Sequence, residues 1–243
     1  MNRQEFEIAI KQNFKNIPND FFVKVETYKK FLQAKNQEFN LTNLSKEEIV
    51  YQNYFFDSII PYRNVDFNKI KSVLDIGSGS GIPGTLLKLM FRDIDLTLIE
   101  ATEKKAKFIQ NLATELNLKK VKVIHKRAED ISQEQYESFD LVTSRAVAEL
   151  KTILEISAPY AKTSGLIVEP KSRKFKHELE ESQWIINELD LLLVNEDEFE
   201  LNGTFHHIFI FKKNKNTNRK YPRSWKQMLV EKSNNEQNYH FKS

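Results

Sequence analysis

Apolar residues recur at helical spacing in the first part of the chain. Two series, Phe6 to Phe14 and Phe22 to Leu32, follow the three- and four-residue spacing of helices that face a core. A third helical stretch opens at Ser45 with the sequence of a capping box, and Pro61 ends it. The pattern therefore predicts an N-terminal helical cap over residues 1–70.

From residue 72 onward, short apolar strands alternate with amphipathic helices. Five such units favour a mostly parallel sheet with helices on both faces. The last two strands are joined by Asn202-Gly203, which is typical of a hairpin turn, so we expect an antiparallel pair at the end. The predicted strands are 72–76, 94–99, 121–125, 139–143, 165–169, 190–200 and 205–211, and the predicted helices are 82–91, 102–117, 149–161 and 174–189.

The first strand ends in Asp75, and a turn containing Gly77, Gly79 and Gly81 follows it. Its second half satisfies the G-x-G-x-x-G pattern of dinucleotide-binding turns, which alone is a weak signal. The preceding carboxylate favours another cofactor, because it would repel a pyrophosphate but suits the ammonium end of S-adenosylmethionine. Five parallel strands followed by an antiparallel pair are also the layout of class I S-adenosylmethionine-dependent methyltransferases. We therefore predict this α/β, Rossmann-like fold for residues 71–212.

Ligands of such sheets bind at the carboxyl ends of the strands, where this chain has several functional candidates. Glu100 ends the second strand, where its carboxylate suits the two ribose hydroxyls of the cofactor, although it could instead cap the next helix. Ala128 and Glu129 follow the third strand, beside the expected position of the adenine. Arg145 follows the fourth strand, and we expect it to orient the cofactor or a phosphate; the alternative is a surface ion pair.

Composition narrows the class of protein. Hydrophobic residues make up 40% of the chain and charged residues 29%, as in ordinary soluble domains. The absence of cysteine excludes disulfides, thiolate metal sites and a cysteine nucleophile. The N-terminus lacks a signal-peptide pattern and no apolar run has membrane-spanning length, so we expect a cytoplasmic location. His206 and His207 face opposite sides of one strand, and we expect no metal site.

Positive charge is concentrated in the predicted tail, residues 213–243. Residues 212–243 hold nine Lys or Arg and two Glu, a net charge of +7, which leaves −4 on the first 211 residues. This asymmetry favours a polyanionic partner such as RNA, and the alternative is a solvated, disordered tail. Tyr221 and Trp225 would stack on bases or pack onto the domain. The predicted RNA-binding residues are Lys171, Arg173 and Lys174 after the fifth strand and Arg219, Lys220 and Arg223 in the tail.

Several segments between residues 36 and 225 form a recognisable set: Asn40-Leu41-Thr42, Asp57-Ser58, Asp75 to Gly84, Lys104 to Phe108, Arg127-Ala128-Glu129, Ser144 to Leu150 and Tyr221-Pro222-Arg223. Together they resemble the bacterial ribosomal RNA small-subunit methyltransferase G family, also called glucose-inhibited division protein B. The resemblance implies methyl transfer from S-adenosylmethionine to N7 of a guanine in 16S rRNA. Because N7 carries a lone pair and no proton, no general base is required, and we predict no catalytic residue beyond a possible helper role for Arg145.

The same resemblance makes Gly77, Ile82, Ala128, Glu129 and Arg145 cofactor neighbours. The chain departs from the family at three places, with Asn53-Tyr54 where Arg-His is usual, Lys171-Ser172 where Lys-Gly is usual, and Ser224 to Lys226 in the tail. Two other functions stay open: a small-molecule methyltransferase on the same fold, and a non-catalytic RNA or ribosome-assembly binder. Nothing in the sequence indicates an obligate dimer, so we expect a monomer.

Overall fold

The computed structural model describes residues 1–39, 47–171, 175–201 and 203–228, without the side chains of residues 36–39 and 175. Several features of the sequence lie outside these residues: Asn40-Leu41-Thr42, the capping box at Ser45, Arg173, Lys174, Asn202 and the tail beyond residue 228.

A seven-stranded sheet forms the centre of the molecule. Its strands are β1 (Ser72–Ile76), β2 (Asp95–Glu100), β3 (Val121–His125), β4 (Phe139–Ser144), β5 (Ala161–Lys171), β6 (Leu191–Leu201) and β7 (Thr204–Lys213). Their order is β3-β2-β1-β4-β5-β7-β6, with the first five strands parallel and β7 antiparallel to both β5 and β6. Strand order therefore reverses at β1, the position where such sheets bind ligands. The predicted fold class is confirmed.

The N-terminal helices are α1 (Arg3–Asn13) and α2 (Phe21–Phe39), followed by a helical segment from Glu47 to Tyr62. Asn2 and Glu5 form a capping box that starts α1. The segment consists of α3 (Glu47–Ile49), the π-helical stretch Val50–Phe56, α4 (Asp57–Ile59) and the 3-10 turn Ile60–Tyr62. Pro61 lies in its last turn, as predicted for the end of this helix.

Helices cover both faces of the sheet. The helices α5 (Gly84–Met90) and α6 (Glu103–Glu115) share one apolar core with the N-terminal helices, and α7 (Leu150–Ser157) and α8 (Phe175–Glu188) lie over the other face. Side chains alternate along β1, so that Val73 belongs to the first core and Leu74 and Ile76 to the second. Asp75 lies two residues after Val73, so its side chain is on the same face of the sheet and points toward the N-terminal helices.

The chain after β7 packs against the second face. We call residues 214–228 the C-terminal strap. Tyr221 and Met228 are buried in the second core and Trp225 is partly buried beside it. The packing alternative for Tyr221 and Trp225 is therefore confirmed, and the alternative of a disordered tail does not hold for these residues. Among the helices that the structure describes, none is long and apolar enough to cross a membrane.

Candidate cofactor site

The turn between β1 and α5 adopts backbone conformations that favour glycine. Gly77, Gly79 and Gly81 have φ angles of +67°, +60° and +97°. A Cβ atom added to Gly77 would lie 2.6 Å from Val147, and one added to Gly81 would lie 2.7 Å from Thr85. At Gly79 the nearest atom would be the Gly77 carbonyl oxygen, 3.9 Å away. The turn is therefore closed at its two ends and open at Gly79.

Asp75 is hydrogen-bonded to the end of this turn. One carboxylate oxygen, Oδ2, accepts a hydrogen bond from the Gly84 N–H at the start of α5, at 2.8 Å. The other, Oδ1, is buried and has no hydrogen-bond partner within the part of the chain that the structure describes. Burial raises the pKa of Asp75 to about 7, the Gly84 N–H opposes the rise, and the charges of Glu169 and Glu100 add to it. The free oxygen therefore suits a ligand that brings a positive charge or a proton.

Glu100 connects the glycine turn to the next helix. Its Oε2 accepts from the Gly79 N–H at 2.9 Å, and its Oε1 accepts from the Thr102 N–H at 2.8 Å. Thr102 is the residue before α6. The contact of Glu100 with the Thr102 N–H is therefore the helix cap that was considered as the alternative role of Glu100, and the contact with Gly79 is separate from it. A carboxylate oxygen accepts more than one hydrogen bond, so both oxygens keep capacity for ligand hydroxyls.

Ala128 and Glu129 lie in the loop after β3, as predicted. Ala128 is buried, and its carbonyl oxygen accepts a hydrogen bond from the Tyr160 hydroxyl. The Glu129 carboxylate pairs with Arg127, whose guanidinium lies 4.9 Å from the ring centre of Trp225. The C-terminal strap therefore reaches the loop that was predicted to border the adenine.

Arg145 leaves β4 toward the helical segment. Its Nη2 donates to the Asn53 carbonyl oxygen at 2.8 Å and to Asp57 Oδ2. The other Asp57 oxygen lies 2.9 Å from Nδ1 of His206 on β7, whose ring stacks on Phe199. The ion pair foreseen as an alternative for Arg145 thus exists, but it is partly buried. Nε and Nη1 of Arg145 make no hydrogen bond to the described residues.

Two tyrosines of the N-terminal helices complete the site. The Tyr28 hydroxyl donates to the Ser80 carbonyl oxygen at 2.6 Å, inside the glycine turn. The Tyr54 hydroxyl is buried and has no hydrogen-bond partner among the described residues. Burial raises the pKa of Tyr54, and the nearby charge of Arg145 and the neighbouring Tyr28 hydroxyl oppose the rise. Tyr54 lies in the π-helical stretch, a distortion that frequently accompanies functional sites.

Replacing Tyr54 by phenylalanine should stabilise the ligand-free protein. The change removes a buried hydroxyl that forms no hydrogen bond to the described residues and keeps the ring, so we expect the free energy of unfolding to rise by about 1 kcal/mol. Tyr28→Phe is the matched control, because its hydroxyl is bonded to Ser80 and its loss should destabilise by about 1 kcal/mol. Urea unfolding measures both, and a Tyr54→Phe protein less stable than the parent contradicts the expectation.

Two residues predicted to bind RNA form ion pairs within the protein. Lys171 is the last residue of β5, and its ammonium lies 3.1 Å from Glu178 and donates to the Ala148 carbonyl oxygen. Arg223 binds Glu155 on α7, whose side chain is only 2% exposed. Both cations therefore have a role in the fold, since a carboxylate withdrawn from water requires a positive charge, and their contact with RNA stays a prediction.

The other two predicted tail cations remain at the surface. Lys220 is exposed and lies 2.7 Å from Glu188 at the end of α8. Arg219 is exposed. Within the described ranges, no group of three or more His, Cys, Asp or Glu side chains is arranged to hold a metal ion.

Comparisons with known proteins find relatives of this chain. A family model described as rRNA small subunit methyltransferase G matches residues 22–196. Ribosomal RNA small subunit methyltransferase G of Ureaplasma parvum serovar 3 is 41% identical over 232 residues, covering 94% of this chain and 98% of that protein. The protein of the same name from Staphylococcus aureus (strain Newman) is 39% identical over 201 residues, covering 82% and 84%. Among solved structures, M. jannaschii TYW2 in complex with AdoMet shares the fold, with a TM-score of 0.51 and 17% identity over 60% of this chain and 70% of that chain.

Proposed function

Because the chain belongs to the rRNA small subunit methyltransferase G family, we propose that it transfers a methyl group from S-adenosylmethionine to N7 of a guanine in 16S rRNA. One structural observation carries the proposal: a glycine turn, open at Gly79, lies between the strand-end carboxylates of Asp75 and Glu100. The turn lies at β1, where the strand order reverses. A dinucleotide pyrophosphate would meet two buried acids here, whereas a cationic nucleoside cofactor would be stabilised by them.

The polar groups of the site fit the parts of S-adenosylmethionine. Asp75 Oδ1, which is buried and has no hydrogen-bond partner among the residues that the structure describes, suits the ammonium of its amino-acid end. Glu100 suits the ribose hydroxyls, and the loop at Ala128 and Glu129 suits the adenine. The absence of a Cβ atom at Gly79 leaves room for the ligand against the main chain. When bound, the cofactor supplies a methyl group activated by a positively charged sulfur.

The chain's own residues then need to position the target rather than move a proton. Guanine N7 has a lone pair available, so proximity and orientation supply most of the acceleration. Arg145 is placed to orient a ligand, because Asp57 and Asn53 fix one of its terminal nitrogens and leave the others available. We do not expect Arg145 to bind both O6 and N7 of the target guanine, because that contact would block the lone pair that reacts.

Cofactor binding should release a proton below about pH 7. In the free protein the raised pKa of Asp75, about 7, favours the neutral acid at lower pH. A bound ammonium favours the carboxylate, so binding releases up to about one proton and affinity increases as the pH rises toward 7. Calorimetry in two buffers of different ionisation enthalpy measures this release. Asp75→Asn should abolish it, and a heat independent of buffer for the parent protein contradicts the assignment.

Methyl transfer to RNA provides the direct test of the function. Purified protein is incubated with S-adenosylmethionine labelled in its methyl group and with small ribosomal subunits or 16S rRNA. Nuclease digestion and mass spectrometry should then show labelled 7-methylguanosine. Transfer only to small molecules would support a small-molecule methyltransferase instead, and RNA binding without transfer would support a non-catalytic binder.

Two further proposals concern the location and the oligomeric state of the protein. We propose that it acts in the cytoplasm, where ribosomal RNA is assembled into subunits, and that it works as a monomer. Analytical ultracentrifugation with and without the cofactor tests the second statement, and a dimer at the concentrations used for the activity assay contradicts it.

A further inference from the structure

Positive charge in the body of the protein is concentrated in one segment. Residues 101–127 hold eight Lys or Arg and two Glu, a net charge of +6. Residues 1–100 and 128–211 together carry −10. The segment comprises α6 and the edge strand β3, so its charge lies along one border of the sheet.

Three of these lysines lie beside the cofactor site. Lys104 and Lys105 belong to the first turn of α6, shortly after Glu100, and Lys126 directly follows β3. Glu100 pairs in register with His125, and the His125 ring nitrogen Nε2 lies 3.1 Å from the Ala101 carbonyl oxygen. The end of β3 and the start of α6 therefore lie side by side. We call Lys104, Lys105 and Lys126 the rim lysines.

The fold itself does not account for the rim lysines. Neighbouring lysines are paired, with Lys107 2.7 Å from Glu103 and Lys120 3.1 Å from Asp95. The rim lysines form no ion pair with the described residues. Lysine in the first turn of a helix meets the positive end of the helix dipole, which is unfavourable for the helix. Lysine also protects edge strands from unwanted pairing, but the rim lysines lie outside β3.

Their surroundings favour a polyanion as the partner. Lys104 and Lys126 are exposed and Lys105 is partly exposed, so their ammonium groups are accessible from solvent. An ammonium on a flexible stem binds phosphate as a point charge, without requiring a fixed geometry. Lys171 and Arg223, in contrast, neutralise carboxylates of the protein. The rim is therefore an accessible basic surface at the carboxyl edge of the sheet.

We propose that the rim lysines bind the phosphate backbone of the substrate RNA where it passes the adenosine side of the cofactor site. The inference rests on the proposed function and adds a contact surface to it. Phosphate contacts of this kind position a nucleic acid without reading its sequence. The target base would then be selected by other groups, and the rim would set the register and the salt dependence of binding.

The experiment compares two full-length variants that lose the same charge. In the first, the rim lysines are replaced as Lys104→Gln, Lys105→Gln and Lys126→Gln. In the control, Lys15, Lys30 and Lys69 are replaced by glutamine; these exposed residues lie on the loop after α1, on α2 and on the loop before β1, respectively. Binding to a 16S rRNA transcript is measured over a series of salt concentrations, and S-adenosylmethionine binding is measured by calorimetry.

Loss of three phosphate contacts should weaken RNA binding by about 10- to 100-fold at moderate salt and should reduce the slope of log affinity against log salt by about 2. Cofactor affinity should stay within about twofold of the parent, and the control should keep the parent slope. An unchanged slope in the rim variant, or an equal loss in both variants, overturns the inference.

The two proposals fail separately. A parent protein that binds the transcript through the rim but transfers no methyl group contradicts the proposed function and leaves the rim contact supported. A parent that methylates the transcript, with a rim variant of unchanged slope, supports the function and overturns the rim contact.

Discussion

Replacing Gly79 by valine will abolish measurable binding of S-adenosylmethionine. Gly79 has a φ angle of +60°, and a Cβ atom there would project into space whose nearest occupant is the Gly77 carbonyl oxygen, 3.9 Å away. A branched side chain would fill the open part of the turn and would prevent a ligand from lying against the main chain. We expect at least about a 100-fold loss of affinity, which corresponds to about 3 kcal/mol. Calorimetry measures the loss.

Gly203→Val is the matched control for this change. Gly203 has a φ angle of +70° in the turn between β6 and β7, and an added Cβ would meet no atom of the described residues outside its chain neighbours within 4 Å. Both substitutions impose a similar backbone strain of about 1–2 kcal/mol, but β4 and β5 separate the control from β1. The control should therefore lose stability and keep its cofactor affinity. Equal affinities for the parent and Gly79→Val proteins would show that the ligand does not lie at this turn.

Replacing Arg223 by alanine will destabilise the protein by about 3–5 kcal/mol. The Arg223 backbone N–H and Nε donate to Glu155 Oε1 at 2.8 and 2.9 Å, and Nη2 donates to Oε2 at 2.6 Å. The Glu155 side chain is 2% exposed, so the truncation leaves a buried carboxylate without a counter-charge. Urea unfolding should show a large decrease in the midpoint.

A second substitution distinguishes loss of the pair from loss of packing. Glu155→Leu in the Arg223→Ala protein removes the uncompensated charge, and we expect it to recover most of the lost stability. If the Arg223 guanidinium serves only Glu155, the salt dependence of RNA binding should stay that of the parent protein. A stable Arg223→Ala protein with a shallower salt slope would instead return this residue to the RNA-binding surface.

The sequence predicted the features that short segments determine. The predicted bounds of β1 and β3 agree with the structure, because alternation of apolar residues between turn residues defines a strand locally. The glycine turn was predictable for the same reason, since its positive φ angles demand glycine at fixed positions. The expected antiparallel end of the sheet followed from the turn residues after Leu201.

The contacts that the sequence missed join distant parts of the chain. Arg145 and Asp57 are 88 residues apart, and Arg223 and Glu155 are 68 residues apart. No local pattern connects such partners, so Arg223 looked like one more cation of a basic tail. Tyr28 and Tyr54 were equally hidden, because helical spacing marks both only as residues of an apolar face.

The π-helical stretch is a different case. Buried Val50, Tyr51, Tyr54 and Phe55 fit an ordinary α-helical spacing, and the sequence predicts an uninterrupted helix. The stretch Val50–Phe56 is nevertheless π-helical, and its buried residues pack in the core that they share with the sheet and α5. It contains Tyr54 and also Asn53, whose carbonyl oxygen accepts a hydrogen bond from Arg145.

The contact between the strap and α7 has a consequence for the biogenesis of the protein. The last strand of the sheet ends at Lys213, but the counter-charge for Glu155 is provided ten residues later. A nascent chain can therefore complete its whole sheet before Glu155 has this counter-charge. A protein that ends between Lys213 and Arg223 would contain every strand of the sheet and would still leave Glu155 without this counter-charge, so truncation there should cost stability.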